Sequence, residues 1–77
     1  MALVRKFEER RMERNSLHRE IGATYSVFGP DDKKILQIDT FGTDDRQIPG
    51  KKSQTIQLDE MGAKELYLIM KKHFGFK

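Results

Sequence analysis

From Leu17 to Leu58 apolar and polar residues alternate, whereas towards both ends of the chain the apolar residues fall at helical spacings. Ile21, Ala23, Tyr25 and Val27 alternate with Gly22, Thr24, Ser26 and Phe28, the period of a half-buried strand. Gly29-Pro30-Asp31-Asp32 reads as a turn, and a second strand follows over Lys34 to Phe41. Leu36, Ile38 and Thr40 share one of its faces, and Ile35, Gln37, Asp39 and Phe41 the other. The short link makes the two an antiparallel hairpin. After the polar loop Gly42 to Lys52, a third strand runs from Ser53 to Leu58, with Ile56 and Leu58 towards the core and Ser53, Thr55 and Gln57 away from it.

The last segment changes period. Ala63, Leu66, Tyr67, Met70 and Phe74 are spaced by three and four, which predicts a helix over residues 60–74 with that stripe against the sheet. Asp59 is its N-cap, Glu60 suits the positive end of the dipole, Lys71, Lys72 and His73 suit the negative end, and Gly75 stops it. Met61 and Leu68 lie off the stripe, seven residues apart, and form a candidate dimer seam. At the other end, residues 5–14 hold eight charged side chains in ten, of good helix-forming types, with Arg5 and Glu9 spaced to pair. Leu3, Val4 and Phe7 fit one helix face, but beyond them only Met12 is apolar, a thin stripe. The expected fold is therefore α+β: a charged N-terminal helical arm over residues 1–16, then a domain over 17–77 with a three-stranded antiparallel meander backed by a C-terminal helix.

Composition narrows the function classes. The 77 residues contain no Cys, so neither a disulfide nor a thiolate metal site is available. No apolar run is long enough to span a membrane, and we expect a cytoplasmic protein with no membrane partner. A chain this short buries only about 60% of its unfolded surface, so a homodimer would add core. The net charge of +3 divides as +2 over residues 1–20, −2 over 21–60 and +3 over 61–77; positive charge belongs to the two ends and to loop lysines.

Catalytic chemistry is not indicated. His18 and His73 lie far apart in sequence, and no His-Glu-x-x-His pairing completes a metal site. The loop from Gly42 to Ser53 has a Gly-Lys flavour, but Asp45 stands where a phosphate loop needs glycine and Lys52 where it needs Ser or Thr. We expect neither an enzyme nor a cofactor.

The polar sheet face offers binding chemistry instead. Hydroxyls and amides of Thr24, Ser26, Gln37, Thr55 and Gln57 surround Phe28 and Phe41, and aromatic rings stack on unpaired bases of any sequence. Lys33, Lys34, Arg46, Lys51 and Lys52 flank them within reach of phosphates, while Asp39 on the same face opposes a polyanion. The candidate nucleic-acid-binding residues are these two phenylalanines and five basic side chains. The competing reading is a protein-interaction module, an accessory subunit or stoichiometric inhibitor of a larger enzyme, motivated by the mixed-sign arm and the acidic middle of the chain.

Tyr25-Ser26-Val27-Phe28, the hairpin into Lys34-Ile35-Leu36-Gln37-Ile38-Asp39, the loop Ile48-Pro49-Gly50-Lys51-Lys52 and Ile56-Gln57-Leu58 before a closing helix resemble the positive-cofactor-four family of single-stranded-DNA-binding transcriptional coactivators. The resemblance spans residues 25–74. It implies a sheet backed by a helix, a homodimer formed partly through the helices, and single strands held across the sheet. By position it makes Lys51 and Lys52 phosphate contacts and Phe41 a stacking residue. The chain departs from the family in having no Trp on the second strand.

Overall fold

The computed structural model describes residues 1–41 and 52–77, and of Lys52 and Ser53 the backbone alone. Four strands and one helix follow in the order β1 (Ala2–Val4), β2 (Ala23–Phe28), β3 (Ile35–Phe41), β4 (Lys52–Leu58) and α1 (Glu60–Phe74). The strands form one sheet in the order β1-β4-β3-β2. Strands β2, β3 and β4 are antiparallel neighbours, as the alternation predicts, but β1 adds a parallel strand on the far side of β4.

Two expectations are therefore corrected. The sheet is four-stranded and mixed, not a three-stranded antiparallel meander, and there is no N-terminal helical arm. Leu3 and Val4 pair with Gln57 and Leu58, and residues 5–22 run on without regular structure. The physical reason is the thin apolar stripe. Helix nucleation is costly, and a short charged helix in water needs tertiary burial to persist. Strand pairing offers Leu3 and Val4 ladder hydrogen bonds along β4, and sets Val4 beside Leu58.

The hairpin between β2 and β3 turns through Gly29, whose φ of 98° suits glycine, and through a turn closed by the Lys33 amide donating to the Pro30 carbonyl at 2.9 Å. Asp59 caps α1 by accepting the Gly62 amide at 2.9 Å, and Gly75 ends it in the left-handed region, its amide donating to the Lys71 carbonyl. Phe76 then stacks on Phe74, with ring centroids 5.7 Å apart.

Packing is sparse. Leu58, 2% exposed, is the one large apolar side chain fully buried among the described residues. Of the stripe expected to face the sheet, Ala63, Leu66 and Met70 are half-buried, whereas Tyr67 and Phe74 are exposed. Alternation places Ile56 on the core face, but it is 43% exposed there.

The start of α1 is the tightest joint. Gly62 is buried, and a Cβ there would overlap the Val4 carbonyl oxygen. The Arg5 Nε donates to the second Asp59 oxygen at 2.8 Å, so β1 and α1 are tied at two adjacent points. The Gly62 amide, then Arg5, hold the Asp59 carboxyl below its ordinary 3.8, against partial desolvation that works in the opposite sense. A depressed folded value contributes stability above the unfolded value that is lost as pH falls through the folded one.

Two outcomes follow from this joint. Gly62→Ala should lower stability by about 1–3 kcal/mol in urea unfolding, because overpacking against backbone outweighs the roughly 1 kcal/mol that alanine gains in a helix. Asp59→Ala should lower Tm at neutral pH, and its Tm difference from the parent chain should shrink as pH falls below the ordinary carboxylate value. A difference independent of pH would exclude the ionised cap.

Candidate nucleic-acid interface

Alternation along the strands gives the sheet two chemically distinct faces. Ala23, Tyr25, Val27, Leu36, Ile38, Ile56 and Leu58 share the apolar one. On the other, register sets Thr24 and Thr55 on either side of Asp39, Ser26 and Gln57 on either side of Gln37, and Phe28 beside Ile35.

Asp39 is at the centre of this polar face and is 3% exposed. An ionised carboxylate buried without partners would cost several kcal/mol, and here it is held by its neighbours. The Thr55 hydroxyl donates to Asp39 Oδ1 at 2.7 Å, and the Gln37 amide nitrogen lies 3.2 and 3.1 Å from the two oxygens. The Gln57 amide in turn donates to Gln37 Oε1 at 2.9 Å. The result is a directed chain across β4 and β3, from Gln57 through Gln37 to Asp39, that fixes three side chains in one orientation. No buried side-chain polar atom among the described residues lacks a partner.

A shallow cavity of about 390 Å³ borders this chain on the β1 side, lined by Leu3, Gln37, Thr55 and Gln57 among others. It offers the apolar Leu3 beside amide groups whose orientation is already set. A second cavity, of about 280 Å³, opens between the hairpin and the helix start, where Asp31, Asp32 and Glu60 surround Leu36 and Leu58; its acidic rim is unsuited to a polyanion.

The two phenylalanines lie on the polar face, as the alternation predicts, but at its opposite ends. Phe28 is at the hairpin end, 46% exposed, and Phe41 is half-buried at the far end of β3. Six strand residues, or about 20 Å, separate their positions, so the rings cannot sandwich one base. Lys33 and Lys34 are on the hairpin beside Phe28. The ammonium of Lys34 lies 3.7 Å from Asp31 with both groups exposed, a weak pairing in water. Arg46 and Lys51 lie outside the described residues, and Lys52 is placed by its backbone alone, opposite Phe41.

Met61 and Leu68, the candidate seam, are both exposed on α1. His18 and His73 are exposed as well. Among the described residues no three His, Asp or Glu side chains gather as a metal site, and no helix is long and apolar enough to cross a membrane.

Sequence reasoning missed the burial of Asp39 and its hydrogen-bond chain. The signal was present in the matched polar pairs Gln37/Gln57 and Asp39/Thr55 on neighbouring strands, which become visible only once register is known. Comparison with family models, with curated proteins and with solved structures finds no match to this chain.

Thr55→Val should destabilise the fold by about 1.5–3 kcal/mol, the scale of a hydrogen bond to a charged group. Thr55→Ser, which keeps the donor, should cost clearly less. Equal losses in chemical denaturation would assign the effect to packing instead.

Proposed function

We propose that this chain is a small, non-enzymatic, dimeric module that binds single-stranded nucleic acid across the polar face of its sheet in the cytoplasm. The observation that carries the reading is the composition of that face, a hydroxyl and amide surface with an aromatic ring at each end. The charge of Asp39 counted against it in sequence. That carboxylate accepts from Gln37 and Thr55, which orients the Gln37 amide on the face.

In this reading Phe28 and Phe41 stack on bases about 20 Å apart along the strand direction, and the amides between them meet sugars and base edges. Lys33 and Lys34 reach phosphates at the hairpin end, and Arg46, Lys51 and Lys52 at the other. The mode is that suggested by the resemblance to the positive-cofactor-four family, with the amide ladder as this chain's own feature. Met61 and Leu68 offer an apolar seam through which two helices can meet.

A second reading is favoured by a specific observation. Tyr25, Val27 and Ile56 leave the apolar face uncovered, which suits a protein partner. It predicts that partner binding survives substitution of the phenylalanines on the polar face.

Titration of fluorescent single-stranded oligonucleotides at several salt concentrations tests the leading reading. About four phosphate contacts give a log-log slope near −3 for single strands. Phe28→Ala and Phe41→Ala should each weaken binding by about 1–3 kcal/mol. An absence of binding at low salt would overturn it.

A further inference from the structure

The two edges of the sheet are built differently. β1 is three residues long and runs directly into Arg5 and Lys6, and a short edge with adjoining charge resists pairing. β2 is six residues long, lacks charge and proline, is exposed at every residue, and pairs with β3 along its whole length without a bulge. Nothing along it opposes a further strand.

The directions of its backbone groups follow from one hydrogen bond. The Phe41 amide donates to the Gly22 carbonyl, so in an antiparallel ladder Gly22, Thr24, Ser26 and Phe28 turn their backbone groups towards β3. Ala23, Tyr25 and Val27 therefore point theirs outward, and among the described residues nothing pairs with them. Three donors and three acceptors stand in a row at the period of a strand.

That row is complementary to itself. With two copies antiparallel and Tyr25 opposite Tyr25 of the second copy, Ala23 meets Val27 and Val27 meets Ala23. All three outward residues then face outward residues, which gives six backbone hydrogen bonds. Centring the two-fold on Ser26 instead pairs only two of the three. The same register keeps the faces in phase, because residues of equal parity oppose one another. Tyr25 and Val27, 75% and 55% exposed, then extend the apolar face across the junction.

We infer that two copies of this chain join along β2, centred on Tyr25, into one continuous eight-stranded sheet. The inference deepens the dimer proposed above by giving it the β2 contact in place of the helix seam, and it holds independently of nucleic acid, since it is tested without any. Met61 and Leu68 remain outside this contact.

The experiment combines sedimentation equilibrium with hydrogen exchange by NMR on the full chain. The amides of Ala23, Tyr25 and Val27 should be protected to a degree similar to those of Thr24, Ser26 and Phe28, and should lose protection on dilution. Val27→Pro removes an outward donor, which an edge strand tolerates within the protomer, and should weaken the dimer about tenfold or more by deleting two of its six bonds. Tyr25→Lys brings like charges together at the two-fold and should weaken it similarly; it keeps the test decisive if the proline variant fails to fold. A monomer at all concentrations, rapid exchange at all three outward amides in the dimer, or a dimer lost in Met61→Glu and Leu68→Glu but kept in both β2 variants would each overturn the inference. A chain that stays monomeric at all concentrations and still binds oligonucleotides would refute this contact while leaving the polar-face reading standing.

Discussion

A carboxylate in the middle of a sheet is tolerable only if its neighbours are aligned to receive it, and Asp39 imposes that condition on this fold. The Gln37 amide on its own strand and the Thr55 hydroxyl on β4 both donate to it, so a slip of the β3/β4 register would break the bond from Thr55. A one-residue slip would carry Thr55 and Gln57 to the opposite face. Among the described residues Leu58 is the one large apolar side chain fully enclosed. The central pair β3/β4 is thus specified by polar matching as much as by hydrophobic pattern, and β1, β2 and α1 are built outward from it.

The same matching gives the polar face its character. Amides and hydroxyls on an open surface ordinarily rotate among many partners, whereas Gln57, Gln37 and Thr55 are held in sequence by the hydrogen bonds that end at Asp39. Groups fixed before a ligand arrives lose less conformational freedom on binding. The buried acid in this way orders the amides and hydroxyl around it.

Local chemistry made some elements legible and not others. The limits of α1 could be read directly because Asp59 and Gly75 act within a turn of the residues they cap, and the hairpin because Gly29 and Pro30 shape the chain where they stand. The face assignment of Gln37, Asp39, Thr55 and Gln57 followed from period two alone. By contrast, Leu3 and Val4 were read with Phe7 as a helix face because their strand partner lies on a distant part of the chain. Ile56 was assigned to the core because alternation tells which face a residue is on, while the depth of that face depends on how far α1 covers it. Neither the parallel pairing nor the extent of helix cover over the sheet leaves a trace in any window of neighbouring residues.

The union of β1 with β4 has a bearing on the order of assembly. Ala2 and Ile56 are 54 positions apart, as are Arg5 and Asp59, so nearly the entire chain must be gathered before the first strand has anything to hold. The hairpin closes a loop of a few residues, and closure entropy grows with loop length. Non-local contacts of this kind slow folding at a given size. On the ribosome β1 emerges 54 residues ahead of the strand it pairs with, and until then its ladder hydrogen bonds can be made only to water.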